Sequence, residues 1–183
     1  MTEIKTQRLI LKNITESDAN DIFEYSKNPN VGPNAGWKPH ESLEETKEIM
    51  KIIFLGQDSV FGMVLPESGK LIGTLGLLPD QKREYDKAMM LGYAMGEQYW
   101  NKGYMTEAAK AVIKYGFEEL GLELISCCCY PFNAGSMRVI EKCGFKFEGV
   151  MRMAEKIFNG NVYDHRNYSL TREEYLKLTE KKL

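Results

Sequence analysis

The residues Gln98-Tyr99-Trp100-Asn101-Lys102-Gly103-Tyr104-Met105-Thr106-Glu107 stand where a strand-like pattern gives way to a helical one. The first turn of a helix carries N–H groups without intrahelical acceptors, and the helix dipole adds positive potential, so this junction can hold a pyrophosphate. Gly103 permits the close approach or unusual dihedral that such a loop demands, although a glycine before a helix is also an ordinary turn. Farther along, Ser136 at a helix start reads as a cap, and Glu155 within Met153-Ala154-Glu155-Lys156 reads as a solvated surface charge. His40 and His165 are too few and too widely spaced for a metal cluster, so each reads as a polar contact in a loop or strand and no metal is expected. Cys127, Cys128 and Cys129 are consecutive, and on a strand they would point to opposite faces, which suits neither disulfide pairing nor a tetrahedral metal site. With Cys143 they read as reduced packing thiols of a cytoplasmic protein. A nucleophilic cysteine would need a paired base, and none lies nearby in the sequence.

The elements that must position these residues are legible from periodicity. Arg8 to Ile14 alternates as a strand, and Thr15 with Asp18 then opens a helical pattern through Ala19, Ile22 and Phe23. An Asn-, Pro- and Gly-rich loop from Asn28 to Pro39 leads to Ser42 and Glu45, a capping-box pattern before Ile49, Ile52 and Ile53. Val60 to Leu65 and Leu71 to Leu77 read as a hairpin, and Ala88 to Met95 as a further strand. The clearest helix runs from Tyr104 to Leu120, with Met105, Ala108, Ala109, Val112, Ile113 and Phe117 on one face and Gly121 as its stop. Leu122 to Tyr130 is a buried strand candidate, Ser136 to Lys142 a short helix ending at Gly144, and Phe145 to Phe158 with Val162 to Leu170 a hairpin around Asn159-Gly160. The expected architecture is α/β (α+β), a mostly antiparallel sheet with helices packed on it, in one domain over residues 1–183.

Composition narrows the function. The 183 residues are 43% hydrophobic and 27% charged, proportions of one ordinary globular domain. Twenty-four basic residues nearly balance 26 acidic ones, so a net charge of −2 makes no broad positive field, and no nucleic-acid partner is expected. Met1 to Arg8 lacks the apolar stretch of a secretory signal, and runs such as Met50 to Leu55 fall far below the roughly 18 to 20 residues a membrane span requires. A soluble protein without a membrane partner is expected, as a monomer or homodimer.

Taken together with Asn133-Ala134-Gly135-Ser136 through Cys143-Gly144-Phe145, the junction at Gly103 resembles the GNAT superfamily of acyl-CoA N-acyltransferases, in particular its ribosomal-protein N-terminal acetyltransferase branch. The likeness extends from Arg8-Leu9-Ile10-Leu11 to Tyr163-Asp164-His165-Arg166-Asn167-Tyr168. The resemblance implies a V-splayed central sheet and acetyl-CoA as co-substrate. Trp100, Asn101, Lys102, Gly103, Tyr104 and Met105 would occupy the family's Gln/Arg-x-x-Gly-x-Gly/Ala pyrophosphate loop, with Trp100 replacing the leading residue and Met105 the final small one. Tyr93, Ala94 and Met95 would belong to a bulged strand that pairs with the pantetheine arm, and Gly92 is compatible with that bulge. Asn133 would hydrogen-bond pantetheine, Ser136 would lie near the coenzyme sulfur, and Glu155 would fall at the branch's catalytic glutamate.

What the resemblance implies chemically is acetyl transfer to a primary amine by direct attack in a ternary complex. A protonated amine, with a pKa of about 8 to 10, has no free lone pair, so Glu155, directly or through a water, is the candidate general base if its surroundings raise its pKa. The N–H of Met95 is the candidate oxyanion donor, Ser136 the candidate donor to the departing sulfur, and Tyr130 and Tyr163 are reserve acids. The loop Asn34-Ala35-Gly36-Trp37-Lys38-Pro39-His40 is expected on the acceptor side, with Trp37 either facing the acceptor or anchoring the loop. The acceptor is a protein N-terminal amine on the branch resembled; a polyamine, an aminoglycoside or an amino acid stands as the alternative, and so does a non-catalytic coenzyme-binding sensor.

Overall fold

The computed structural model describes residues 2–180. In chain order the strands are β1 (Glu3–Lys5), β2 (Ile10–Asn13), β3 (Val60–Val64), β4 (Leu71–Pro79), β5 (Ala88–Met95), β6 (Leu124–Cys129), β7 (Lys146–Lys156) and β8 (Val162–Thr171). The helices are α1 (Ala19–Ser26), α2 (Leu43–Ile53), α3 (Tyr104–Glu118), α4 (Ala134–Lys142) and α5 (Arg172–Glu180). The strands form one sheet in the order β1-β2-β3-β4-β5-β6-β8-β7. Neighbours are antiparallel except β5 and β6, which are parallel because α3 carries the chain back across the sheet between them.

Two apolar clusters cover the two faces of the sheet. Phe61, Met63, Leu75 and Leu77 point to the face covered by Ala108, Val112 and Phe117 of α3 and by Tyr175 of α5. Val60, Val64 and Leu71 point the other way, onto Ile22 and Tyr25 of α1 and Met50 of α2. β3 and the first part of β4 are therefore buried on both faces, and read as continuous apolar runs rather than alternating ones.

Several sequence expectations change on contact with the fold. The strand expected over Arg8 to Ile14 is Ile10–Asn13, and an unexpected strand before it, Glu3–Lys5, pairs antiparallel with it although its residues are polar or partly exposed. In α2 the buried positions are Thr46 and Met50, while Ile52 is 77% exposed, so the capping signal located the helix but the isoleucines misassigned its inner face. Ser42 Oγ accepts from Glu45 N–H at 3.0 Å, but the Glu45 carboxylate accepts from Glu41 N–H at 2.5 Å rather than from Ser42, so only half of the capping box forms. The Asn159-Gly160 hairpin closes through Ile157, whose carbonyl accepts from Gly160 N–H at 2.9 Å, with Gly160 at φ 87°. Helix α5 follows β8 without a sequence-level expectation. Its stacking of Tyr175 on Phe117, ring centroids 4.9 Å apart, is a long-range contact that local periodicity does not carry.

The bulge expected at Gly92 is absent. The β4–β5 register runs unbroken from Gly73↔Met95 to Pro79↔Met89. The splay arises instead because β6 stops pairing with β5 after Met90↔Ser126, so the two strands part with no extra residue in either.

Candidate active site

Beyond Met90 and Ser126, the diverging ends of β5 and β6 open a cleft of about 740 Å³ that runs from the start of α3 to the β7–β8 hairpin. Gly96 N–H donates to Ile72 O at 2.9 Å, which fixes the parity of β5. The main-chain groups of Ala94 therefore face β4, and those of Tyr93 and Met95 face the gap. The carbonyl of Met95 accepts from Trp100 Nε1 at 2.8 Å, so the tryptophan braces the strand end against the loop before α3.

At the head of α3, Gly103 has φ 81° and Asn101 φ 60°, a left-handed path that turns the first helical amides into the cleft. The first intrahelical bond is Glu107 N–H to Gly103 O at 3.0 Å, so the amides of Tyr104, Met105 and Thr106 lie ahead of the ladder. Trp100, Asn101, Gly103 and Met105 line the cleft. Lys102 and Tyr104 lie outside its lining, and the Tyr104 ring lies under the Arg8 guanidinium at 4.6 Å. Arg8 also grips Glu107 at 2.7 Å, through both its main-chain N–H and its Nε, and Thr6 Oγ1 adds a third bond at 2.7 Å. Burial pushes the Glu107 carboxyl up, but the bonds from Thr6 and Arg8 outweigh it and hold the group below the ordinary carboxylate range. This clamp of the β1–β2 turn on α3 stands outside the cleft lining and braces the start of the helix, a long-range contact that sequence reasoning missed.

Asn133 caps α4, its Oδ1 accepting from Ser136 N–H at 3.0 Å, and its Nδ2 donates to Asn34 O at 3.2 Å. Ser136 Oγ and Tyr93 Oη are 2.7 Å apart, a hydroxyl pair across the gap. Burial above all holds the Tyr93 phenol well above its ordinary pKa, so it stays protonated.

Glu155 reaches the cleft through an irregularity. Between Met151↔His165 and Glu155↔Tyr163 the β7–β8 register shifts, β7 using more residues than β8, and Met153 there takes φ 50°. The shift places Glu155 Oε2 2.7 Å from Tyr130 Oη and 3.0 Å from His165 Nε2, both side chains directed at the same oxygen. Tyr130 donates there; burial, and then the Glu155 bond and charge, drive its phenol far above the usual range. The other oxygen, Oε1, lies beneath Gly36, where an added Cβ would come within 2.7 Å of it and 2.6 Å of Tyr130 Oη.

Gly36, at the end of the Gly32–Ala35 turn, lies over the glutamate, and Val31, Asn34 and Ala35 line the cleft. Trp37 does not line it; its ring stands 5.3 Å from His40, and it anchors the loop. Tyr163 Oη accepts from Asn161 Nδ2 at 3.1 Å, while Tyr130 is the tyrosine engaged with Glu155. His165 was expected as an isolated polar contact, and the fold makes it the neighbour of both Glu155 and Cys128. The paired base that the sequence did not place near any cysteine is therefore present. Only the register of β8 against β6 and β7 could have revealed it. His40 is the buried contact expected, Nδ1 lying 2.9 Å from Thr46 Oγ1. Among the described residues no group of three or more His, Cys, Asp or Glu side chains could hold a metal ion, and no helix is long and apolar enough to cross a membrane.

Residues 8–146 match the family described as the acetyltransferase (GNAT) domain. The N-acetyltransferase YoaA of Bacillus subtilis is 33% identical over 175 residues, covering 92% of this chain and 96% of that protein. The N-acetyltransferase p20 of Bacillus licheniformis is 29% identical over 180 residues, 96% and 99% of the two chains. Among solved structures, a GNAT-family acetyltransferase from Bacillus anthracis superposes with a TM-score of 0.82 at 26% identity, over 94% of this chain and 99% of that one. The ribosomal-protein-S5-alanine acetyltransferase from Vibrio fischeri superposes with a TM-score of 0.76 at 25% identity, over 94% and 98%.

Proposed function

Because the chain belongs to the GNAT family of N-acetyltransferases, we propose that it moves an acetyl group from acetyl-CoA to a primary amine by direct attack, with a protein N-terminal amine as acceptor. The observation that carries this reading is the placement of Glu155: one carboxylate oxygen is held by Tyr130 and His165, and the other is turned toward the roofed end of the cleft. Likeness to the ribosomal-protein-S5-alanine acetyltransferase favours the peptide acceptor over a small amine.

The co-substrate supplies an activated acyl carbon, and the chain's residues suit its parts. The amides of Tyr104, Met105 and Thr106, with the helix dipole behind them, are donors for a diphosphate, and Gly103 keeps its approach clear of a side chain. The main chain of Tyr93 and Met95 offers strand-like pairing to an extended amide arm, with Asn133 at its side. Glu155 takes the amine proton, and the bonds from Tyr130 and His165 hold its carboxylate in place for that transfer. The N–H of Met95 stabilises charge developing on the carbonyl oxygen. Ser136, backed by the protonated Tyr93, donates to the departing sulfur.

The test is an acetylation screen with acetyl-CoA over N-terminal peptides, polyamines, aminoglycosides and amino acids, with coenzyme binding followed by calorimetry. Turnover of a peptide α-amine is the expected result. Turnover of small amines alone would overturn the acceptor assignment, and binding without turnover across the panel would favour a coenzyme sensor.

A further inference from the structure

Cys128 differs from the other three cysteines: Cys127, Cys129 and Cys143 are buried, and Cys128 is partly buried. Strand alternation sends Cys127 and Cys129 into the core beneath α3 and α4, and turns Cys128 to the face of β6 that carries Tyr130. It lies two residues past Ser126, the last residue of β6 paired with β5, so it stands in the wall of the gap and lines the cleft with Glu155 and His165.

Cys128 stands opposite Asn167 in the β6–β8 pairing, which puts it on the sheet face of His165 two residues away on β8, and both line the cleft; His165 Nε2 lies 3.0 Å from Glu155 Oε2. Lys82 Nζ, held by Asn167 Oδ1 at 2.9 Å and 3.4 Å from His165 Nδ1, adds a cation to the same corner. A thiol beside an imidazole that a carboxylate orients is the arrangement that activates cysteine for acyl transfer. Burial pushes the Cys128 thiol up, but the neighbouring His165 and Lys82 outweigh it and leave the thiol below its ordinary range. Cys128 and then Glu155, in turn, raise His165 against the opposing effect of burial.

We propose that Cys128 is a self-acylation site, which takes the acyl group of a bound acyl-CoA thioester when no amine is present. The inference rests on the coenzyme reading given above. The Cys128 thiol gives its proton to the His165 imidazole as its sulfur bonds to the thioester carbonyl carbon, and the bond from that carbon to the coenzyme sulfur breaks. The coenzyme thiolate leaves with that electron pair and takes a proton from the His165 imidazolium. One thioester replaces another, so the exchange needs no oxidant and no further reactant, and it is reversible by the free coenzyme thiol. While it lasts, the acyl group occupies the space beside Glu155 that an amine would enter.

The full-length protein is incubated with acetyl-CoA alone and acid-quenched; its intact mass is then read and its peptides are fragmented. The expected result is one added acetyl group, located at Cys128, released by neutral hydroxylamine as a thioester is, and matched by one equivalent of free coenzyme thiol. Cys128→Ala should not acquire it, and His165→Gln should acquire it at least tenfold more slowly. The wild-type peptide map decides the site even if either variant folds poorly. An unmodified chain, with coenzyme binding detected by calorimetry on the same sample, overturns the self-acylation and leaves the acetyltransferase reading standing. A hydroxylamine-resistant acetyl group on a lysine does the same. Absence of coenzyme binding overturns both.

Discussion

Replacing Gly36 with alanine tests whether the loop above Glu155 sets the geometry of the reaction. The new Cβ would lie 2.6 Å from Tyr130 Oη and 2.7 Å from Glu155 Oε1, inside the 3.0 Å that real Cβ contacts essentially never cross. The loop cannot retreat freely, because Asn133 Nδ2 holds Asn34 O at 3.2 Å and Trp37 anchors its far side. Glu155 and Tyr130 must therefore move by several tenths of an ångström. A displacement of about 1 Å at a reacting group costs on the order of a hundredfold, so a shift of this size should lower kcat/KM for the amine by roughly tenfold. Strain adds a separate effect, since a non-glycine residue in the left-handed region costs about 1–2 kcal/mol. Gly160 isolates that effect: it has the same φ of 87°, and nothing lies within 4 Å of its Cβ position. Gly160→Ala should thus lower Tm by about 2–8 °C with unchanged kinetics, whereas Gly36→Ala should lose both Tm and kcat/KM while keeping coenzyme affinity. Thiol release with a peptide amine and thermal melts on both variants provide the readouts. Wild-type kcat/KM in Gly36→Ala would refute the placement of the acceptor amine beneath this loop.

Glu155→Gln should lower kcat most at the acid end of the profile, where fewer acceptor amines are already neutral, and a pH–rate profile parallel to wild type would remove Glu155 from the base role. Gly103→Val should weaken coenzyme binding by about tenfold or more in calorimetry, because φ 81° strains a β-branched residue and its Cβ would stand 3.3 Å from Arg8 Nη2; undiminished affinity would show that the diphosphate binds elsewhere. Glu107→Gln should destabilise the protein by about 2 kcal/mol at neutral pH through weakened charged hydrogen bonds to Arg8 and Thr6. Its folded-state pKa is depressed, so the stabilisation is fully present above the unfolded value of about 4.3 and is lost as pH falls through the lower folded value. Melts of wild type and variant should accordingly converge as the buffer is taken below about pH 4, and a constant gap would contradict the shift.

Local pattern carried most of the secondary structure and, of the candidate site, the junction at Gly103; the other candidate residues were reached through the family resemblance. The apolar spacing of Met105, Ala108, Val112 and Phe117 specifies α3, and Gly103 before it marks a left-handed entry, because both depend on residues within a few positions of each other. Helical spacing failed in α2, where Ile52 and Ile53 continue the apolar run past the point at which the packing surface of α1 and β4 ends. The triplet Cys127-Cys128-Cys129 shows the same boundary from the other side. Alternation alone assigns the outer two to one face and the middle one to the other, but nothing nearby in the chain says that His165 waits there. Glu155, His165, Tyr130 and Gly36 come from four separate stretches and meet only because β8 inserts between β6 and β7 and a register shift at Met153 turns one glutamate inward. Periodicity sees neighbours along the chain, whereas strand order and register, decided by how the buried faces pack together, choose which distant side chains share a proton.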